Sequence, residues 1–178
     1  MKIDVFKAIK GRRSVRAFTD EPVSEDEVNQ LLDAARWAPS AGNIQPWKFV
    51  VVRDTQLKRG LVEAALDQTF IQEAPVVFVV CANPTRSSRR YGSRGISLYC
   101  LQDTAAAIQN MHLAAYALGL ATCWVGAFQE EKARRVLNLP DDLRPVAIIP
   151  VGHAAEKPAL SPRRPLSEVV HRGVFGRN

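Results

Sequence analysis

The chain has 178 residues, 47% of them hydrophobic, and its formal net charge is +6. This length fits a single domain, which can bury a core large enough to fold without disulfide or metal staples. No apolar run approaches the roughly 20 residues that a membrane-spanning helix needs, so a soluble protein without a membrane partner is expected. The positive charge comes without a zinc finger or an RNA-binding motif, which favours an anionic small molecule over a nucleic acid as the partner.

Cysteine and histidine usage argues against metal and disulfide chemistry. Cys81, Cys100 and Cys123 are odd in number and lie among apolar neighbours, which favours reduced core residues. The 3 histidines share no ligand-like spacing with cysteine or acid, so no metal site is predicted. Residues 1–4 lack the plan of a secretion signal, and we therefore expect a cytoplasmic protein.

Helix and strand patterns alternate in the first half of the chain. Gly11 predicts the end of a short N-terminal helix, and Ser24 with Glu27 predicts a capping box at the start of a second helix. Pro39 ends this second helix and opens a polar loop. The short N-terminal helix is predicted over 4–10. The other predicted elements are a strand over 48–53, a helix over 54–65 and a wholly apolar strand over 75–82. A strand this apolar indicates a sheet that is covered on both faces.

The second half opens with residues 85–97, which are rich in Ser, Arg and Gly and predict a mobile loop that either borders a ligand or is simply solvated. The longest helix is predicted over 101–118, and its many alanines indicate tight burial or a subunit interface. A strand over 121–128, a helix over 129–137 and a strand over 145–151 follow. From His153 onward the prolines indicate a segment that wraps over another surface. The pattern favours an α/β or α+β class.

Two polar motifs carry the functional signal. Residues 12–16 place three arginines and a serine together, a pattern that can bind a phosphate through charge-assisted hydrogen bonds. Residues 38–47 form a Pro- and Gly-held loop, rich in hydrogen-bonding groups, that runs into an apolar strand. Together the motifs indicate a mononucleotide cofactor site. The alternatives are a solvated face for the arginines, and a turn tied down by Asn43 and Gln45 for the loop.

In order along the chain, residues 12–18, 38–47, 121–128 and 146–152 resemble four motifs of the FMN-dependent nitroreductase family, with Arg163 and Arg164 following the last of them. The resemblance implies an α+β fold in which a nitroreductase-like mixed sheet is flanked by helices. It also implies an intertwined homodimer with FMN sites shared between the subunits. Residues 1–178 would form one FMN-binding domain, of which residues 153–178 are a C-terminal extension that wraps the partner subunit.

The resemblance further implies which residues bind the cofactor. The first motif and a tail arginine would hold the FMN phosphate and ribityl chain. The second motif would come from the partner subunit and cover the ring, and the third would place backbone amides at flavin N5 and O4. No catalytic side chain is implied, because flavin N5 carries the chemistry. The implied residues are Arg12, Arg13, Ser14, Arg16, Pro39, Ser40, Ala41, Asn43, Gln45, Trp124, Val125, Gly126, Ala127, Arg163 and Arg164.

The chain departs from the family pattern in three places. The 85–97 stretch is short where longer members carry helices over the flavin, so a more open substrate pocket is expected. Ser161 stands where a basic residue is common, which leaves Arg163 and Arg164 to share its role. The family's polar contacts to the flavin pyrimidine, in the region of 66–72, are not recognisable in this sequence.

The activity implied by the resemblance is that of an FMN-dependent oxidoreductase. It would use NADH or NADPH to reduce nitroaromatics, quinones or related acceptors by a ping-pong mechanism, in which donor and acceptor take turns on one flavin face. One alternative is an FMN enzyme of the same scaffold with another acceptor, of the dehalogenase, flavin-fragmenting or dehydrogenase type. Another is a non-catalytic FMN-binding protein. The sequence does not decide between NADH and NADPH.

Overall fold

The computed structural model describes residues 4–177. Residues 1–3, on which part of the secretion-signal argument rests, and residue 178 at the end of the predicted extension lie outside the described residues. The strands are β1 (Trp47–Val52), β2 (Val76–Ala82), β3 (Ala121–Thr122) and β4 (Arg144–Gly152). The helices are α1 (Val5–Gly11), α2 (Glu25–Arg36), α3 (Thr55–Ala64), α4 (Phe70–Glu73), α5 (Pro84–Arg94), α6 (Cys100–Ala117), α7 (Glu130–Val136) and α8 (Leu166–Val169), with a 3₁₀ turn at Ala41–Asn43 and a π-helical turn at Gly95–Tyr99.

A four-stranded sheet in the order β1-β2-β4-β3 forms the centre of the fold. All three strand pairs are antiparallel, and an isolated parallel bridge outside these pairs joins Ser14 to Thr122. Every residue of β2 is buried, because helices cover both faces. Val77 and Val79 pack with α3, α4 and α7, whereas Val76 and Phe78 pack with α2 and α6. The protein is therefore a helix–sheet–helix sandwich of the α+β class.

Local signals in the sequence correctly place the starts of three helices. Asp4 caps α1 by accepting from the Lys7 amide, and Asp54 caps α3 by accepting from the Leu57 amide. Ser24 and Glu27 form the predicted capping box of α2. The apolar strand predicted over 75–82 is β2, and the long alanine-rich helix is α6. These predictions are confirmed.

The prediction of a mobile loop over 85–97 is wrong, because this stretch forms α5 and the π-helical turn. The side chain of Asn83 accepts a hydrogen bond of 2.7 Å from the Arg86 amide, and Pro84 occupies the first helical turn. Gly92 then breaks the helix with φ 53°. Beyond this break, Gly95 packs against the first half of α5, so closely that an added Cβ would be 2.5 Å from the Ser87 carbonyl oxygen. A cap and close backbone packing thus make a helix from a loop-like composition.

The strand predicted over 121–128 is also shorter than expected. Only Ala121–Thr122 pair continuously with β4, and Val125 makes one further bridge to Ile148. Cys123 stays buried at the sheet edge, whereas Trp124 and Gly126 are exposed.

Two apolar surfaces of the chain are exposed. On α1, only Ala8 is buried, whereas Val5 and Ile9 are half exposed and Phe6 is 66% exposed. The C-terminal segment carries further exposed large side chains, at Leu160, Leu166, Val169, Val170, Val174 and Phe175. Exposed apolar surface of this extent is typical of a region that contacts another chain. No helix within residues 4–177 is both long enough and apolar enough to cross a lipid bilayer.

We expect Gly95→Ala to loosen α5 from the π-helical turn, at a cost of about 1–3 kcal/mol, because the added methyl group would overlap the Ser87 backbone. Limited trypsin digestion measures this directly, since α5 contains several arginines. The unchanged protein should resist cleavage within α5, and Gly95→Ala should be cut there much faster. Ser93→Ala, an exposed change on the same helix, serves as the control. Rapid cleavage of the unchanged protein within α5 would contradict the helical assignment.

Candidate functional site

The arginine motif lies directly beside the turn that follows β3. The Val15 amide donates a hydrogen bond of 3.0 Å to the Thr122 carbonyl, and Ser14 forms the parallel bridge to the same residue. Two motifs that are more than a hundred positions apart in the sequence therefore form one continuous surface. A cavity of about 580 Å³ opens next to it, and its wall combines apolar residues such as Val15 and Leu120 with the polar and charged residues Lys7, Arg12, Arg13, His112, Tyr116, Glu156 and Lys157.

The three arginines of the first motif have different surroundings. Arg12 is half-buried, and its Nε atom is buried without a hydrogen-bond partner among the described residues. Arg13 donates from Nη1 to the carbonyls of Lys10, Gly11 and Arg12, at 2.6 to 2.9 Å, and so caps the C-terminal end of α1. Arg16 is exposed. Arg13 is thus partly committed to a structural role, whereas Arg12 keeps a donor available.

Arg16 lies above an aromatic residue that the sequence analysis did not single out. Its guanidinium carbon is 5.9 Å from the centroid of the Phe70 ring, at the start of α4. Its amide donates to Glu156 Oε1, which ties the first motif to the segment after β4. The Arg16 side chain therefore extends from the first motif to Phe70. This residue belongs to the 66–72 region, where polar cofactor contacts could not be assigned from sequence.

Residues 124–127 expose backbone that can reach a ligand. Val125 is buried and pairs with Ile148, whereas Trp124, Gly126 and Ala127 are exposed. An added Cβ at Gly126 would meet no atom closer than 3.8 Å, so this backbone has open space in front of it. Within the described chain, the amides of Gly126 and Ala127 donate to no protein acceptor. They are available as hydrogen-bond donors to a bound group.

Gln68 is a residue of this site that sequence reasoning missed. Its side-chain amide donates 2.8 Å to the Ala65 carbonyl and 3.1 Å to the Ala127 carbonyl, which links α3 to the exposed turn. The preceding Leu66 and Asp67 adopt positive φ, an unusual backbone geometry that a leucine at this position does not predict. Gln68 thus holds the peptide group that directly follows the two free amides.

The second motif forms a well-ordered loop around the 3₁₀ turn. Ser40 Oγ accepts from the Gln45 amide at 3.0 Å, and both Asn43 and Gln45 have positive φ. The Gln45 side chain donates to the Asn43 backbone and side-chain oxygens at 3.3 and 3.2 Å. This geometry matches the alternative in which Asn43 and Gln45 tie down a turn. Pro39 and Asn43 remain exposed, and Ser40 and Ala41 are partly exposed.

Asp103, on the first turn of α6, anchors this loop to the helix. Its Oδ1 atom accepts a hydrogen bond of 3.0 Å from the Ala41 amide. Burial raises the pKa of Asp103, and the hydrogen bond from Ala41 opposes that rise. Oδ2 has no partner among the described residues. The only sequence hint was an acid within an otherwise apolar, alanine-rich helix, and it was not recognised.

A single chain does not bring the second motif to the first. The loop joins the α2–α6 layer through Ala38 and Trp47, whereas Val15 packs in the opposite layer. In residues 4–177, no hydrogen bond or ion pair connects residues 38–46 with residues 12–16 or 121–128. The tail arginines are equally remote, since Arg163 donates only to the Ser161 and Pro162 carbonyls nearby. Of the predicted site residues, those in 12–16 and 121–128 are therefore adjacent, whereas the second motif and the tail arginines lie apart from them.

His112 is a further residue that sequence reasoning missed, and it lines the cavity. It is 2% exposed, and its Nδ1 atom shares a hydrogen bond of 2.7 Å with Thr122 Oγ1. Its ring stacks with Trp124 at 5.9 Å between centroids, and Nε2 is buried without a partner in the described chain. Burial, helped by the Arg12 charge, lowers the pKa of His112 to about 4. The ring is therefore neutral at physiological pH.

Comparison with known proteins gives the same family at the level of sequence and structure. The model of the Nitroreductase family matches residues 9–72 and 63–153. An NADH dehydrogenase of Thermus thermophilus is 33% identical, with 94% of this chain and 95% of that protein covered. An FMN reductase [NAD(P)H] of Bacillus subtilis is 30% identical, with 97% and 74% covered. The solved structure of the NfrA1 nitroreductase from B. subtilis superposes with a TM-score of 0.89 at 29% identity, covering 98% of this chain and 76% of that one.

We expect the neutral His112 to make the protein less stable as the pH falls from about 6.5 to about 4. In this window the unfolded chain takes up a proton at the imidazole and the folded chain does not, so unfolding is favoured by up to about 3 kcal/mol. His112→Asn, which keeps a polar atom near Thr122, should flatten this part of the profile. Urea unfolding at several pH values measures it, with His171→Gln in the tail as the control. Parallel profiles for His112→Asn and the unchanged protein would contradict the assignment.

Proposed function

The chain belongs to the nitroreductase family, and on that premise we propose that it is an FMN-dependent oxidoreductase. It uses NAD(P)H to reduce nitroaromatics, quinones or related acceptors by a ping-pong mechanism. The names of its relatives, which include an FMN reductase [NAD(P)H] and a nitroreductase, support this activity. We place it in the cytoplasm, because Cys81, Cys100 and Cys123 are free and buried, as expected in a reducing compartment.

The observation that carries the proposal is the cavity with basic residues at β3, the strand that the exposed 124–127 turn follows. The buried and unpartnered Nε atom of Arg12 is a donor that a phosphate oxygen would satisfy. Lys7 and Lys157 add positive charge to the same cavity wall. FMN fits this set, because its anionic phosphate and its polar ring edge require cations and amide donors at two neighbouring places. When bound, FMN supplies the hydride-accepting and electron-passing chemistry.

The residues of this chain would bind and orient that group rather than perform acid–base steps. Arg12 and Ser14 would hold the phosphate, with Arg13 near them. Arg16, stacked over Phe70, would present its cation to the opposite end of the site. The free amides of Gly126 and Ala127 would donate to the flavin edge, and their fixed orientation favours negative charge there. Trp124 and Val125 would support the ring from below.

We further propose that the complete site belongs to a homodimer. The loop of the second motif, residues 38–46 (the Ser40 loop), and the arginine motif occupy opposite layers of one chain. A partner's Ser40 loop would therefore cover the flavin that the arginine motif holds. The exposed apolar faces of α1 and of the C-terminal segment support an extensive contact between two copies. Residues 153–178 would act as an extension of the single domain that wraps the partner subunit. This arrangement would also bring Arg163 or Arg164 to a phosphate.

The activity is tested by adding NADH or NADPH to the FMN-loaded protein without oxygen. We expect the oxidised flavin absorbance to bleach with at least one donor, and to return when a nitroaromatic or a quinone is then added. Initial rates at several concentrations of both substrates should give the parallel double-reciprocal lines of a ping-pong cycle. Retention of FMN without bleaching by either donor would reject the oxidoreductase and identify a non-catalytic flavin-binding protein.

The shared site is tested by mixing two defective variants. Arg12→Gln should weaken FMN binding about 10- to 100-fold, because it removes a charge-assisted hydrogen bond. Ser40→Glu places a negative charge on the loop that is proposed to cover the flavin. If each site combines residues of both subunits, unfolding and refolding the two variants together should restore FMN binding to about one quarter of the sites.

The mixing experiment has its own controls. Each variant refolded alone should stay low in FMN, which is read from flavin absorbance per protomer after desalting. Arg59→Gln, an exposed change on α3, should leave the FMN content unchanged. If the mixture regains no FMN although mixed dimers form, each site lies within one subunit and the shared-site proposal fails.

A further inference from the structure

We propose that Arg90 and Arg94, on α5, form a subsite for the 2′-phosphate of NADPH and so make NADPH the preferred electron donor. This inference deepens the proposed function and rests on it. It concerns a part of the chain that none of the FMN contacts above uses.

The position of α5 follows from its contacts with the Ser40 loop. Arg86 Nε donates a hydrogen bond of 2.6 Å to the Ile44 carbonyl. An added Cβ at Gly42 would be 2.6 Å from the Tyr91 hydroxyl and 3.0 Å from Arg90 Nη1, so α5 rests directly on the loop. The loop and α5 therefore form one contiguous unit. In the proposed dimer, this unit borders the open side of the flavin, where a nicotinamide donor must enter.

The charge of α5 is positive and not neutralised. The helix carries Arg86, Arg89, Arg90 and Arg94, and residues 74–102 contain no Asp or Glu. None of these arginines forms an ion pair within the described residues. Of the acids near this segment, Asp103 is buried under the loop and Asp142 accepts from the Asn83 side chain. The surface thus presents guanidinium groups with no carboxylate to compete for them.

Two of the guanidinium groups are held against aromatic rings. Arg94 Nε donates 2.8 Å to the Tyr99 hydroxyl, and its guanidinium carbon is 5.2 Å from the centroid of that ring. The Arg90 guanidinium lies 5.7 Å from the Tyr91 centroid, and the Tyr91 and Tyr99 rings meet edge to face at 5.1 Å. Arginines fixed in this way lose less freedom when they bind a ligand than freely solvated ones.

A phosphate monoester is the ligand that this geometry fits best. The planar guanidinium donates two parallel hydrogen bonds to phosphate oxygens, which an ammonium group cannot do, and residues 84–103 contain arginine but no lysine. The FMN phosphate already has Arg12 and its neighbours on another element. NADPH differs from NADH only by the phosphate on its adenosine ribose. A second phosphate subsite at the rim of the donor's entrance therefore selects NADPH.

The test uses the FMN-loaded protein and the double variant Arg90→Gln/Arg94→Gln, with Arg59→Gln as a control for the loss of a surface charge elsewhere. We expect kcat/KM for NADPH to fall about 10- to 100-fold, as for the loss of hydrogen bonds to a charged group, and kcat/KM for NADH to stay nearly unchanged. Arg90→Lys, which keeps the charge but not the fork, should retain part of the preference. Equal losses for both donors, or no change for either, would overturn the proposal.

A binding measurement separates this inference from the proposed activity. By titration calorimetry, 2′,5′-ADP should bind the unchanged FMN-loaded protein more tightly than ADP, and the double variant should lose that difference. If neither donor bleaches the flavin but 2′,5′-ADP still binds more tightly, the activity fails and the phosphate subsite stands. If NADPH and NADH are equally efficient and the two nucleotides bind alike, the arginines are only a solvated surface and the subsite fails.

Discussion

The hydrogen bond from the Val15 amide to the Thr122 carbonyl is the contact on which the candidate site depends. It fixes the arginine motif to the edge of the sheet, where β3 ends and the exposed turn begins. Without it, Arg12 would have no defined position relative to the free amides of Gly126 and Ala127. Because Thr122 also hydrogen-bonds His112, one residue links the first motif, the sheet edge and the central helix α6. A single backbone hydrogen bond thus brings together groups from three distant parts of the sequence.

The sheet imposes the second constraint, because it separates the two halves of the site. The Ser40 loop is anchored to the α2–α6 layer through Asp103, and α5 rests against it. The arginine motif packs in the other layer. A ligand that needs both surfaces must therefore lie between two chains, and the exposed apolar residues of α1 and the tail provide the area for such a contact. Dimerisation and cofactor binding would then stabilise each other.

Elements with strong local signals were predictable from the sequence, and contacts between distant residues were not. The caps at Asp4, Ser24 and Asp54 and the apolar run of β2 each follow from a few adjacent residues. Helix α5 was missed because it is stabilised by the packing of Gly95 on Ser87 and by the edge-to-face contact of Tyr91 with Tyr99. The roles of Gln68 and Asp103 were missed for the same reason, since their partners lie 59 and 62 positions away. Sequence motifs indicated the surfaces of the candidate site, but not the contacts that hold those surfaces in place.

The burial of His112 explains how the cavity can concentrate positive charge without losing stability. A protonated imidazole beside Arg12 would place two cations in a poorly solvated space, and each would raise the cost of the other. Burial keeps the ring neutral, so its bond to Thr122 and its stacking on Trp124 persist while Arg12 remains the cation there. On α5 the arginines are exposed instead, and water and salt screen the repulsion between their charges. Under the two proposals, the partly buried surface at Arg12 would hold the phosphate of a resident cofactor, and the exposed surface on α5 would hold that of a donor that must leave.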